Sequence, residues 1–479
     1  MMPDQESSVA IPEPINVGLL HHLIKDDGEE DLAFALWYPS FGARRLTALL
    51  HTPVSPIEGD RQRHGNASFN PQYFERVCEL AVQGGAGIAF MHSHPVPGWQ
   101  EMSRDDMRAE QKLAGAVMGL TDLPLVGLTV GTDGTWSARM WQYRGNKRYE
   151  RKWCNSVRSV GQRLNISFAD HLVPRPAFRE LFKRTVTVWG KDNHADLARL
   201  RIGIVGLGSV GSMVAESLAR MGLQRFSLID FDEVQKHNLD RLLGATEADI
   251  GRLKAEIAER QMRRSATATR VEIETIPFSI AEERGYRAAL DCDVLFSCVD
   301  RPRARSILNH FAYAHLIPVI DGGIEVRFKN REFSGVDWQL QTAAPGRPCM
   351  DCLGTFDAGD VSTEIEGKLD DPSYLQGLPP DHRFKRNENV FPFSANLASL
   401  EVLQLVALVT GIAGITDFGV QRYRYIPGIV ETDTERRCYE TCETVKLIAQ
   451  GDRHFYLFGT DIAAEHARRR RNEQVKVRG

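Results

Sequence analysis

The chain has 479 residues, a length that predicts two or three domains. Its 42% hydrophobic and 25% charged residues are those of an ordinary globular protein, and a formal net charge of −4 argues against binding dominated by nucleic-acid phosphates. No apolar run approaches the ~18 residues of a bilayer span. The opening "MMPDQESSVAIPEP" lacks the basic region and apolar core of a secretory signal. The expected compartment is therefore the cytoplasm, where thiols stay reduced. The eight cysteines then read as metal ligands, core residues or nucleophiles.

In chain order, residues 1–20 read as a flexible lead. "DLAFALW" and "RLTALLHTPV" follow as strands. "PQYFERVCELAVQ" has helical spacing, with Pro71 suited to its first turn. "AGIAFMHSHP" reads as a strand ending in a histidine pair, "SRDDMRAEQKLAGAVMGL" as a helix and "LPLVGLTVG" as another strand. The first domain is expected to be mixed α/β and to span 1–150, with a basic helical connector over 151–197. From 198 to 450 the order strand, glycine loop, helix, strand repeats, which is the grammar of a doubly wound parallel sheet. Residues 451–479 read as a mobile basic tail.

The spacing His92-x-His94 at a strand end puts both imidazoles on one face, because strand side chains alternate with period two. Ser103 is a natural helix N-cap, and Asp106, three residues on, completes a capping box. Asp106 can then add a third ligand beside the imidazoles. Three protein ligands make an open, catalytic zinc site. Glu30, just ahead of the first strand, is the candidate general base.

This constellation resembles the JAMM (JAB) metalloprotease family, which carries a glutamate, His-Ser/Thr-His-Pro, then Ser-x-x-Asp. The match covers about 15–150. It implies a cytidine-deaminase-like mixed α/β fold and cleavage after the C-terminal glycine of a ubiquitin-like protein. His92, His94 and Asp106 would be ligands, Glu30 the base and Ser103 an oxyanion stabiliser. The linker "PVPGWQEM" is one residue longer than the family pattern, so Asp105 competes with Asp106. Helical phase from Ser103 favours Asp106. Glu29 competes with Glu30 in the same way.

"GLGSVG" supplies Gly206, Gly208 and Gly211 between a strand and a helix, where backbone N–H groups can hold phosphate. Asp230 ends the next strand, at the position that takes ribose hydroxyls. Asp232, Asn238, Arg241, Lys254 and Asp300 follow. A hydride-transfer site has no need of these cations and acids, whereas an adenylating site does: Arg and Lys balance triphosphate charge and an aspartate holds Mg²⁺. These residues resemble the ThiF/MoeB and ubiquitin-activating family over about 180–445. The resemblance implies a Rossmann-like domain that binds ATP and Mg²⁺ and adenylates a C-terminal carboxylate. Asp230 would hold ribose, Asn238, Arg241 and Lys254 would hold phosphates, and Asp300 would position Mg²⁺. Arg184 would reach the ATP of a partner subunit in a homodimer.

Cys349 and Cys352, with Cys438 and Cys442, have the spacing of a closed Cys₄ structural zinc site. The loop from Leu353 to Pro392 contains no cysteine, so adenylation is better supported than thioester relay. The sequence therefore predicts an α/β enzyme with two zinc sites, one catalytic and one structural, and an ATP pocket. The expected partner is a ubiquitin-like or sulfur-carrier protein, with a ubiquitin-conjugating-like protein as a further candidate. No nucleic-acid or membrane partner is expected.

Overall fold

The computed structural model describes every residue except 1–4, 65, 330–331, 378–388, 455, 457–458 and 479. The chain divides into two compact units. The first comprises residues 1–175 with two short returns, 314–316 and 446–455.

In the first unit the elements are β1 (Glu6–Pro12), α1 (Glu13–Leu23), β2 (Leu32–Phe41), β3 (Arg45–Val54), β4 (Arg61–His64), β5 (Asn66–Phe69), α2 (Pro71–Gly84), β6 (Gly87–Ser93), α3 (Arg104–Thr121), β7 (Leu125–Val130), β8 (Trp136–Tyr143), β9 (Tyr149–Trp153), β10 (Ser156–Val160) and β11 (Leu164–Phe168). Nine of these strands form one mixed sheet in the order β11-β10-β1-β3-β2-β6-β7-β8-β9, and β4 and β5 pair separately. Period-two alternation sends the two faces of β2 into different cores. Ala33, Ala35 and Trp37 pack with Leu19 and Leu23 of α1. Phe34, Leu36 and Tyr38 pack with Tyr73 and Val77 of α2 and Leu113 and Val117 of α3. In β6, Ile88 and Phe90 lie in that second core, so His92 continues onto the face that α3 covers.

Two expectations are corrected in this unit. The lead is not flexible: β1 is parallel to both β3 and β10, and Val9, Ala10 and Ile11 are fully buried. The stretch 151–197 is not a helical connector, because its first part supplies β10, β11 and most of β9. The unit therefore ends at 175 and not at 150. The basic residues of "YERKWCNSVRSV" mask a strand alternation.

The second unit contains α4 (Lys183–Trp189), α5 (Lys191–Arg199), β12 (Arg201–Val205), α6 (Ser209–Arg220), β13 (Arg225–Ile229), α7 (Lys254–Ser265), β14 (Glu272–Ile276), α8 (Glu283–Ala289), β15 (Val294–Ser297), α9 (Pro302–Ala314), β16 (Val319–Lys329), β17 (Glu332–Ala343), α10 (Ala358–Ile365), α11 (Pro372–Gly377), α12 (Phe391–Thr410), β18 (Val420–Arg424), β19 (Ile429–Asp433) and α13 (Ile462–Arg478). The sheet order is β14-β13-β12-β15-β16-β17-β18-β19, with β12 to β16 parallel and β16 to β19 antiparallel. Strand order reverses direction between β12 and β15, the switch point at which an open α/β sheet offers a crevice.

By length and composition α12 could cross a bilayer, but 67% of its apolar window is buried, and it packs as a core helix against β16 and β17. The Leu353–Pro392 segment, read as a structureless loop, carries α10 and α11, and its residues 378–388 lie outside the described residues. The basic tail is corrected as well: α13 is ordered by ion pairs and by burial of Ala464 and Ala467.

Candidate functional site

At the end of β6, His92 Nε2 and His94 Nε2 lie 3.1 Å apart. Asp106 Oδ1 is 3.5 Å from His92 Nε2, and its Oδ2 is 3.4 Å from His94 Nε2. Ligand atoms held at roughly 2.0–2.2 Å from one zinc ion stand about 3.3 Å from one another. The three donors thus have the chemistry and spacing of a zinc face. His92 Nδ1 is buried and without a hydrogen-bond partner among the described residues.

The cap of α3 aims Asp106. Its N–H donates to Ser103 Oγ at 3.1 Å, and Ser103 N–H donates back to Asp106 Oδ2 at 2.8 Å. Burial pushes the Asp106 carboxyl up, but hydrogen bonds from the two imidazoles outweigh it and hold the group far below the usual carboxylate range. Asp105 points away, with a side chain 81% exposed and paired to Arg108, so geometry brings Asp106 and not Asp105 to the imidazoles. Glu29 turns toward Arg63, at 3.0 Å. Glu30 is half-buried beside the trio: burial lifts its carboxyl above the ordinary value, and the charges of His94 and His92 pull it back.

Sequence reasoning missed two supports. Asp31 is fully buried and donates its N–H to Ser93 Oγ at 3.0 Å, while Ser93 N–H donates to Asp31 O at 3.0 Å. This double tie fixes the chain at Glu30 against the residue between the two histidines, and Arg61 neutralises the Asp31 carboxylate. Gln100 presents Oε1 to His94 Nδ1 at 3.3 Å, and its amide nitrogen faces the carbonyls of Val96, Pro97 and Gly98 at 3.1, 3.1 and 2.7 Å. So oriented, Gln100 Oε1 accepts a hydrogen bond from His94 Nδ1, which would leave Nε2 as the metal-binding atom once its own proton, now shared with Asp106, is displaced.

The glycine loop of the second unit connects β12 to α6. Gly206 has φ +86°, and a Cβ there would meet Cys298 O at 2.5 Å; one on Gly211 would meet Gly206 O at 2.0 Å. Only glycine permits this close turn. Gly208 is the residue before α6. Asp230, at the end of β13, accepts Leu207 N–H at 2.5 Å and Asp232 N–H at 2.7 Å. Burial pushes its carboxyl up to about 6. Lys254 Nζ is 2.8 Å from Asp232 Oδ2. Burial works against the Lys254 ammonium, but the charges of Asp230 and Asp232, with Asp300 contributing, hold its pKa above the ordinary value.

Asp230, Asp232, Lys254 and Asp300 therefore share one electrostatic cluster beside the glycine loop. Asn238 and Arg241 stand nearby but turn to their own loop. Asn238 Oδ1 accepts Gln235 N–H at 2.9 Å, and Arg241 Nη1 donates to His237 O at 2.6 Å. Arg241 O accepts Ser209 Oγ at 3.1 Å, which ties this loop to the start of α6. Arg184 is exposed on α4, and none of the contacts around Asp230 and Lys254 involves it.

Cys349, Cys352, Cys438 and Cys442 converge, with their sulfurs within 4.8 Å of one another. Cys349 Sγ and Cys442 Sγ are 3.6 Å apart, close to the roughly 3.8 Å edge of a ZnS₄ tetrahedron. Burial pushes the Cys352 thiol up to about 12. The Cys349 thiol is also raised, first by its hydrogen bond with Cys438. The four-donor set fits one structural zinc ion.

The ThiF family model matches residues 182–441. Over 203 residues the chain is 31% identical to tRNA threonylcarbamoyladenosine dehydratase 2 of Saccharomyces cerevisiae, covering 42% of this chain and 44% of the relative. It is 28% identical to the molybdopterin-synthase adenylyltransferase of Escherichia coli (36% and 67%) and 27% identical to the SAMP-activating enzyme E1 of Haloferax volcanii (34% and 57%). The matched stretch thus spans about half the length of these relatives. Among solved structures, E. coli MccB with MccA-N7isoASN aligns with TM-score 0.43 and 16% identity, covering 56% of this chain and 75% of that one. With more than half of its residues matched by the family model, the chain belongs to the ThiF family.

Proposed function

We propose that the chain is a bifunctional enzyme of a ubiquitin-like protein pathway. Its second unit adenylates the C-terminal carboxylate of the ubiquitin-like protein, and its first unit cleaves the peptide or isopeptide bond after that C-terminus. The observation that carries the reading is the cluster beside the glycine loop: buried Asp230 holding the loop's Leu207 N–H, with Lys254 and Asp232 2.8 Å apart next to it. Two acids and a lysine suit a triphosphate better than a nicotinamide dinucleotide.

In adenylation, the peptide carboxylate attacks the α-phosphorus of ATP, and the bond to the β-phosphate oxygen breaks. Pyrophosphate leaves and an acyl-adenylate remains. Asp230 orients the ribose, Lys254 offsets developing phosphate charge, and Asp300 would hold Mg²⁺. Arg184 would serve the ATP of a second copy in a homodimer.

The JAMM-type peptidase reading of the first unit is supported by the His92–His94–Asp106 geometry and by Glu30 beside it. Zinc bound there would supply Lewis-acid polarisation and a lowered water pKa. Glu30 takes a proton and returns it to the leaving amine, Ser103 donates to the developing oxyanion, and Asp31 and Gln100 hold their neighbours in place.

The likeness to the molybdopterin-synthase adenylyltransferase favours a second reading, in which the partner is a sulfur-carrier protein. Pyrophosphate exchange into ATP, run with a ubiquitin-like and a sulfur-carrier protein in turn, separates these readings by which of the two supports it. It should require a protein with a free C-terminal glycine, ubiquitin-like or sulfur-carrier, and should vanish in Asp300→Ala. Exchange that needs no such protein overturns the adenylation reading, and carrier-dependent exchange that survives Asp300→Ala overturns the role given to Asp300.

A further inference from the structure

The sequence "HARRRRN" places four arginines in a row on α13, and the helix sorts them. Arg469 points outward to Glu465, at 2.6 Å, and Arg470 is exposed. Arg468 and Arg471, three residues apart, share the face on which Ala464 and Ala467 are buried. Arg468 donates to Glu282 at 2.8 Å and lies over the Phe278 ring. Upstream, Thr460 O accepts Arg303 Nη1 at 3.0 Å, and Asp461 accepts the Ser279 hydroxyl. The segment is thus strapped along the ends of β14 and β15.

Arg471 terminates this strap on the turn that carries the nucleotide acids. Its Nη1 donates to Phe231 O at 2.7 Å, and its Nε is 3.8 Å from Glu233 Oε1. Phe231 stands between Asp230, whose carboxylate reaches back to the glycine loop, and Asp232, whose carboxylate pairs with Lys254. The peptide that joins Phe231 to Asp232 is part of this arrangement, since its N–H donates to Asp230 Oδ1 at 2.7 Å. Arg471 is the side chain that grips that carbonyl from outside the turn.

We propose that Arg471 is a nucleotide-positioning residue: by holding the Phe231 carbonyl it fixes Asp230 where the ribose hydroxyls of ATP bind. The inference rests on the adenylation reading. It also makes the C-terminal helix a working part of the nucleotide site.

The test is calorimetric titration of the full chain with ATP, 2′-deoxyATP and 3′-deoxyATP, for wild type, Arg471→Ala, Arg471→Lys and Arg468→Ala. Arg471→Ala should bind ATP about tenfold more weakly, the scale of one charged hydrogen bond, and should lose much of the preference for ATP over the deoxynucleotides. Arg471→Lys, which keeps one donor, should recover part of both. Arg468→Ala should lower the melting temperature yet keep the wild-type preference, because its partner Glu282 lies off the turn. Wild-type affinity and preference in Arg471→Ala overturn the proposal, as does an equal loss in Arg468→Ala. Wild type that binds no ATP at all overturns the adenylation reading itself, and this proposal with it.

Discussion

The two donor clusters are built in opposite ways. His92, His94 and Asp106 sit on a strand end and a helix cap, elements that the surrounding cores hold rigid without any ion. The four cysteines sit outside helices and strands, in pairs about ninety residues apart, on two stretches that meet at the sulfurs and are both hydrogen-bonded to Asn309 of α9. Three nitrogen and oxygen donors leave a coordination position open, whereas four thiolates close the shell. Under the proposed function the first cluster would act on a substrate, and the second would hold chain together. A preformed site can lose its ion and keep its fold, while a site made of loops cannot.

The largest expected effect tests that contrast directly. Cys352→Ser should remove one zinc ion per chain and destabilise the second unit by several kcal/mol, because binding energy there is folding energy. Zinc analysis and a thermal melt check it, and an unchanged melt would break the contrast. Asp106→Ala should also remove one zinc ion and abolish cleavage of a ubiquitin-like fusion, but with little change in melting. Asp105→Ala should leave zinc content and cleavage intact. A smaller effect is expected of Gln100→Leu, about 10–100-fold weaker zinc binding at the first site, measured by chelator competition.

The smallest effect sharpens the contrast through pH. Burial raises the Cys352 thiol to about 12, and the Cys349 thiol is raised as well, so both are protonated in the metal-free protein at neutral pH. Zinc must expel those protons, and its affinity for the second unit should therefore rise with pH. The slope should exceed that of the first site, where the carboxylate is already ionised and the raised His94 imidazole supplies the proton that zinc displaces. Zinc titrations in buffers of different ionisation enthalpy count the protons released, and equal counts would contradict the assignment.

What the sequence revealed follows the same divide between periodic and irregular structure. His92-x-His94 was legible because strands alternate, and Asp106 because a capping box fixes the phase from Ser103. The glycine loop was legible because only glycine fits between Gly206 and Cys298 O. β1 was hidden because three fully buried apolar residues, Val9 to Ile11, are too few to stand out in a polar lead. Gln100 was hidden because its partners are carbonyls of an irregular turn, which no spacing announces. Arg471 was hidden inside a run of like charges that the helix divides between two faces.

The returning segments of the first unit bear on how the molecule is made. β1 is synthesised well before its neighbour β10, which follows only at Ser156–Val160. Tyr38 and His51 wait still longer, for Arg453 and Gln450, at 2.7 and 2.8 Å. Ser40 likewise meets His315, at 2.8 Å, only after more than half of the chain has been synthesised. A fragment cut at residue 175 would thus lack residues 314–316 and 446–455, pieces of its own packing.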